Sequence, residues 1–280
     1  MNTTKTATLT ILSIMVALAL FTGSAYAIKG NFKPDSTPYV GVVVLFSDAD
    51  KTQPIGYCSG FLISPTVMLT AGHSLVGAQA TSVCFDKGPI NFAIENGQIV
   101  YYGTYTVYDG APVSYPQYLP TLSGNQELAN SDLGLIILNQ PVDGITTFPA
   151  LPTAGFTDTL KIKTDLRVVG YGFQYQVTPR NEGVINSWTG TVSRNTAQVQ
   201  LLNTNFNGGD MYLRLTANPG QGKGGIAFGD SGGPVIYTAN GQDIVLAVNA
   251  YATSVNCGGI SYHTRIDTPQ ILDWISGYIE

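Results

Sequence analysis

The chain is written in short β-prone runs, rich in Val, Ile, Thr and Tyr, each closed by a cluster of Gly, Pro, Asn, Asp or Ser. Such runs read as strands, because branched and aromatic side chains suit a pleated surface and the closing residues supply the turns. They fall at residues 39–46, 56–63, 67–70, 81–85, 98–108, 133–138, 166–171, 187–202, 211–216, 244–251 and 260–266. With 32 Gly and 15 Pro, the chain lacks the long uninterrupted periods of a coiled coil or helical bundle. Only 11% of residues are charged, against about 25% in ordinary soluble domains, and 44% are apolar. That balance excludes disorder. One helix is readable, at about 268–279: Thr268 caps it, Pro269 takes the first position, and Ile271, Trp274, Ile275 and Tyr278 recur at helical spacing.

Two β units follow from the punctuation. The stretch 141–155 holds three prolines and two glycines without a period, so it links a first unit at about 28–140 to a second at about 156–266. The segment 109–131 reads as a long loop, and loops of that length usually serve a function or move.

Residues 1–27 have the three-part build of a secretory signal peptide: Lys5, an apolar stretch at 11–21, then Ala25-Tyr26-Ala27 before a cut. The apolar stretch is shorter than the roughly 20 residues a transmembrane anchor needs. The expected mature protein is therefore exported, extracellular or periplasmic, begins at Ile28 and is not held in a membrane. Without Lys5 its formal charge moves from −5 to −6. No Lys/Arg cluster is present, so nucleic acid is not an expected partner. The three cysteines, Cys58, Cys84 and Cys257, allow at most one internal bridge. They are too scattered for a zinc site, and only His73 and His263 could assist them; neither a metal nor a cofactor is expected.

The hexapeptide Gly229-Asp230-Ser231-Gly232-Gly233-Pro234 carries the strongest chemical signal. A serine hydroxyl becomes a nucleophile only when it is exposed, approached by a base and accompanied by donors for the developing oxyanion. Flanking glycines permit the backbone angles that gather N–H groups into one concavity. The candidate base is His73, in Leu69-Thr70-Ala71-Gly72-His73-Ser74, at the end of a β run. Asp132 stands directly before the apolar run 133–138, where a part-buried carboxylate needs a donor such as an imidazole N–H.

In order, these motifs, together with Cys58-Ser59-Gly60-Phe61-Leu62-Ile63, Val169-Gly170-Tyr171-Gly172 and the final Trp274-Ile275, resemble those of the trypsin/chymotrypsin-like serine proteases over almost the whole chain after residue 27. The order His73, Asp132, Ser231 is that family's order and not that of subtilisins or α/β-hydrolases. The resemblance implies an all-β fold of two six-stranded antiparallel barrels with the active site in the cleft between them and a C-terminal helix. It implies a monomeric serine endopeptidase acting on polypeptides, with His73, Asp132 and Ser231 as triad and the N–H groups of Gly229 and Ser231 as oxyanion hole. A catalytically silent binding module of the same fold and a serine esterase are the competing readings.

Several departures from the family pattern bear on detail. Ser74 and Ala227 stand where the family usually has cysteines, so the expected partners of Cys58 and Cys257 are missing, and a Cys58–Cys84 bridge is the remaining expectation. Ile28-Lys29-Gly30-Asn31 resembles the start of activated members, which implies an ion pair between the Ile28 α-ammonium and Asp230; a disordered start with Asp230 held by other donors is the alternative. Gly225 occupies the position that is acidic in trypsins, so Lys and Arg lack a counter-charge. The substrate pocket is expected at Gly225, Ile226, Tyr251 and Ser261, suited to an apolar or small side chain, with His263 either serving a Glu preference or structural. Gly220 to Gly225 also satisfies G-x-G-x-x-G, but no βαβ unit follows, so it is not a dinucleotide site.

Overall fold

A computed structural model describes residues 28–95, 98–119, 131–177, 187–203, 211–217, 219–253 and 257–279. The leader at 1–27 and much of the expected loop, 120–130, lie outside the described residues. The first half holds β1 (Lys29–Gly30), β2 (Phe32–Pro34), β3 (Val40–Phe46), β4 (Pro54–Leu62), β5 (Val67–Thr70), β6 (Ala80–Cys84), β7 (Phe92–Glu95), β8 (Gln98–Tyr101), β9 (Val107–Ser114) and β10 (Gly134–Leu138). The second half holds β11 (Asp165–Gly170), β12 (Tyr175–Val177), β13 (Ser187–Thr189), β14 (Asn195–Asn203), β15 (Tyr212–Ala217), β16 (Gly224–Gly225), β17 (Pro234–Ala239), β18 (Gln242–Ala252), β19 (Gly259–Arg265) and the helix α1 (Pro269–Ser276).

Six antiparallel strands close the first barrel in the order β10-β5-β4-β3-β6-β9. The second unit runs β11-β17-β18-β19-β15-β14, and pairing of β14 with β11 makes it a ring, with β2 added along β14. This is the expected all-β, two-barrel architecture. All of β3, Val-Gly-Val-Val-Val-Leu-Phe, is buried, as its unbroken apolar run requires. One face fills the first barrel, and at Val40 the other half begins: Arg194 Nη1 donates to the Val40 carbonyl at 2.8 Å and the Tyr171 hydroxyl at 3.2 Å. Each fully buried aliphatic side chain here contributes about 1.5–3 kcal/mol, so the two cores, not the few charges, hold the barrels.

Local details explain where sequence and structure part. Strand β9 continues to Ser114 through Gly110 and Pro112, which read as breakers. Its pairing with β6 stops at Gly110, so the edge at Pro112 has no neighbour there that needs its missing N–H. Run 187–202 divides into β13 and β14, run 98–108 into β8 and β9, and β17 follows directly on the Gly-rich motif. In α1 the Thr268 hydroxyl accepts from the Ile271 N–H at 3.4 Å, Pro269 opens the helix, and Ile271 and Ile275 are buried. Trp274 meets Tyr115 edge to face at 4.9 Å, tying the helix to the first barrel.

The Cys58–Cys84 bridge does not form; all three thiols are free and buried. Strand order is the reason. Both cysteines belong to the first barrel, but Cys58 opposes Val43 on one side of β3 and Cys84 opposes Val42 on the other. An intervening strand separates them by two inter-strand spacings, roughly 9–10 Å, beyond the roughly 7 Å between Cα atoms that a disulfide tolerates.

Candidate active site

Strand pairing assembles the first half of the site. β5 and β10 are neighbours, with Thr70 opposite Gly134, so the residues just past one and just before the other come together. His73 opens a short 3₁₀ turn after β5, and Asp132 precedes β10. Gly72 is required for the approach: a Cβ there would lie 2.7 Å from the Leu133 carbonyl oxygen. The His73 backbone N–H donates to Asp132 Oδ1 and its ring Nδ1–H to Oδ2, both at 2.7 Å. A carboxylate only accepts, so the proton sits on Nδ1 and Nε2 is the ring's acceptor.

The second half is the loop 229–233, most of whose peptide planes are gripped from outside. The Phe173 N–H donates to the Phe228 carbonyl at 2.8 Å, fixing the peptide that carries the Gly229 N–H. Ser59 Oγ donates to the Gly229 carbonyl at 2.8 Å while accepting from the Tyr171 N–H at 2.9 Å. The Ser59 N–H takes the Ser231 carbonyl, and the Gly232 N–H donates to the Asn249 carbonyl, each at 2.8 Å. Among the described residues the N–H groups of Gly229 and Ser231 make no hydrogen bond, although those of Asp230, Gly232 and Gly233 all do. Two unspent donors in one loop are what an anion site needs. Gly232 has φ +86° and a Cβ on it would meet the Ser59 carbonyl oxygen at 2.1 Å, so glycine is obligatory there.

Asp230 lies under this loop, fully buried, its carboxylate accepting from the Gly172 and Ala227 N–H groups, each at 2.8 Å. Burial pushes its pKa up to about 7 against the help of those two donors. No ion pair to Asp230 is present among the described residues; the chain is continuous here, so the Ile28 nitrogen is a peptide amide. Ile28 is nevertheless buried next to this region, because β1 pairs with β16 with Lys29 opposite Gly225, two residues before Ala227.

A cavity of about 460 Å³ brings the two halves together, with His73, Tyr118, Leu119 and Asp132 from the first and Ser231 from the second. Of the residues expected in the substrate pocket, Ile226 and Tyr251 line it, joined by Tyr212, Ala227, Phe228, Ala250, Ala252 and Cys257. Gly225 instead pairs with Lys29, and Ser261 is buried against His263. Ser261 and His263 stand two apart on β19 and so share one strand face, while β18 bulges between Asn249 and Tyr251 where the consecutive Ala250, Tyr251 and Ala252 line the cavity. Tyr212 carries no motif that would single it out. It reaches the wall because β15 is a ring neighbour of β19, and it packs edge to face with Tyr251 and Tyr262 at 5.9 and 6.2 Å. His263 does not line the cavity. It is fully buried, hydrogen-bonded to Asn249 and Ser261, and desolvation holds its pKa down to about 3, so the imidazole stays neutral.

Two closed β units that place polar side chains from both halves on one cavity form a recognisable class, the two-barrel β proteins. The family model described as Trypsin matches residues 31–275, and the chain belongs to the trypsin family of serine proteases. Among solved structures, one described as HL collagenase matches with a TM-score of 0.62 and 17% identity, covering 90% of this chain and 96% of that one, a likeness of fold. No curated protein matches the chain at a significant level. Among the described residues no three of His, Cys, Asp and Glu gather where they could hold a metal ion, and no helix is long and apolar enough to cross a membrane.

Proposed function

We propose that the chain is a secreted serine endopeptidase that cleaves peptide bonds through an acyl-enzyme on Ser231. One observation carries this: His73, locked to Asp132 through both ring and backbone, lines the same cavity as Ser231. Ser231 Oγ attacks the scissile carbonyl carbon while His73 Nε2 takes its proton, and Asp132 stabilises the resulting imidazolium. The carbonyl oxygen, now negative, receives the N–H groups of Gly229 and Ser231. The tetrahedral intermediate collapses, the C–N bond breaks, and His73 returns the proton to the leaving amine. Water then repeats the sequence on the ester, releasing the acid and regenerating Ser231. No cofactor enters.

The cavity supports a preference for an apolar side chain next to the scissile bond. Ile226, Ala227, Phe228, Ala250, Tyr251 and Ala252 line it, and among the described residues no carboxylate other than Asp132 does. Loss of residues 1–27 in export would expose the Ile28 ammonium, and the buried, cation-free Asp230 is its counter-charge in this proposal. A fluorophosphonate probe and a peptide mixture, with Ser231→Ala as control, test the assignment. Labelling at Ser231 and cleavage after apolar residues are expected, with Ser231→Ala lowering turnover on the order of a million-fold. A labelled protein that cleaves esters but no peptide overturns the peptidase reading, and an unlabelled one overturns catalysis at Ser231.

A further inference from the structure

Beneath the nucleophile loop lies a chain of three fully buried polar side chains, Asn249, His263 and Ser261, in the second barrel. Asn249 and His263 are cross-strand partners on β18 and β19. Asn249 Nδ2 lies 3.2 Å from the Asp230 carbonyl oxygen and 3.3 Å from that of Val169. Two acceptors on one side fix the amide's orientation, since its own oxygen there would face two carbonyls. Asn249 Oδ1 is therefore turned to His263, 2.9 Å from Nδ1, which must carry the ring proton. His263 Nε2 then accepts from the Ser261 hydroxyl at 2.8 Å. Every donor in the chain meets an acceptor, so the direction of each bond is determined from one end to the other.

We infer that Asn249, oriented by His263 and Ser261, is a positioning residue for the oxyanion hole. The inference rests on the catalytic reading above. The peptide unit between Asp230 and Ser231 carries the Asp230 carbonyl on one edge and the Ser231 N–H on the other, because a trans peptide is planar with C=O and N–H opposed. Donation from Asn249 to that carbonyl holds the plane so that the Ser231 N–H points out of the loop. The other bond to the same oxygen comes from the Gly233 N–H at 3.0 Å, which closes a local turn within the loop. If the peptide flipped, its N–H would turn toward the Asn249 NH₂, donor against donor, and the Asp230 carbonyl would lose its external partner. Asn249 thus blocks the rotation that would remove the Ser231 oxyanion donor. Its own backbone assists, accepting from the Gly232 N–H and donating to the Gly233 carbonyl, each at 2.8 Å.

Asn249→Asp tests this at nearly constant size. The carboxylate still accepts from His263 but now faces the Asp230 carbonyl as an acceptor, and it would receive a flipped Ser231 N–H. The expected result is a 100- to 1,000-fold fall in kcat, the range for loss of one oxyanion donor, with KM changed less than about 3-fold. Affinity for a peptide boronate, which places an oxygen in the hole, should fall with kcat, while that for a non-covalent product peptide should not. A merely structural role would move both ligands together. Asn249→Val, which removes the donor without adding a charge, is the second variant, with a smaller kcat loss expected at unchanged KM; it decides the matter if Asn249→Asp does not fold. Wild-type kcat and boronate affinity in a folded variant would overturn the inference while leaving the catalytic assignment intact. A wild-type protein that neither labels at Ser231 nor cleaves peptides would overturn the assignment first, and this inference with it.

Discussion

Asp230 offers a test in which the same substitution should have opposite signs in two versions of the chain. With Ile28 still in peptide linkage, the buried carboxylate has two N–H donors and no cation, and its pKa stands at about 7 instead of 3.8. That difference corresponds to about 4 kcal/mol against the charged form at pH well above 7. Asp230→Asn removes the charge, but its NH₂ faces one of the two N–H donors, which costs about 1–3 kcal/mol. In a chain beginning at Ala25, the substitution should therefore stabilise by about 1–3 kcal/mol at pH 8.5. In a chain beginning at Ile28, the α-ammonium offsets the charge, and the same substitution should destabilise by about 3–5 kcal/mol by leaving that ammonium buried and unpaired. Both chains would carry Ser231→Ala to prevent self-digestion, with urea unfolding followed by tryptophan fluorescence. The pH dependence supplies a second check. A raised carboxyl pKa means the folded state keeps its proton longer than the unfolded one, so the extended chain should lose stability as pH rises from about 4 to about 7 and level off above. Its Asn variant should lack that slope. Equal signs in the two chains, or equal slopes with and without the carboxyl, would refute the reasoning.

Other outcomes follow from particular groups. The Tyr57 hydroxyl is buried without a hydrogen-bond partner among the described residues while its ring packs edge to face on Phe92 and Phe173, so Tyr57→Phe should hold or raise stability by about 1 kcal/mol in urea unfolding. His263, held neutral down to about 3 against an ordinary 6.5, makes the folded state the weaker proton acceptor; its share of stability, on the order of 4–5 kcal/mol, should drain away as pH falls from 6.5 toward 3. Acid titration of wild type against His263→Phe should show that loss only in the wild type. Unfolding in iodoacetamide without reductant should alkylate Cys58, Cys84 and Cys257, read by mass spectrometry, because none is bridged.

What could be read in advance was whatever sits at the end of a strand. His73, Asp132 and Ser231 each lie where a β run meets a turn, and such positions show in a single sequence as a change from apolar to Gly, Ser and Asn. Residues brought in by strand order were hidden. Tyr212 reaches the cavity only because β15 lies beside β19, and Cys58 and Cys84 are kept apart only because β3 runs between them. Ser261 is expected in the pocket from the family resemblance, but it stands two residues from His263 on β19, on the same face of that strand, and is hydrogen-bonded to it there. Asn249 is a single polar residue in an apolar run and His263 one of several polar residues in its strand, and nothing short of their cross-strand pairing shows that they meet. Even β17 escaped, since its Pro234 belongs to the motif and to the strand at once.

The missing disulfides bear on how the site keeps its shape. Where the family pattern resembled in the sequence has a cysteine beside the histidine and another near the nucleophile, this chain has Ser74 and Ala227, and Cys58 instead contacts the Thr70 hydroxyl at 3.5 Å. A disulfide stabilises mainly by restricting the unfolded chain, and it does not set the rotation of a neighbouring peptide plane. That rotation is what the oxyanion donors depend on, and here it is set locally: by the Phe173 N–H for Gly229, by Asn249 Nδ2 for Ser231, and by Ser59 on both sides of Asp230. Replacement of the bridges by hydrogen bonds therefore changes global stability more than the geometry of the hole. The low count of ionisable side chains fits the same logic. A loop built from glycines and gripped by neutral donors needs one charge beneath it, Asp230, and the sign of that charge's contribution depends on whether Ile28 is a peptide or a terminus.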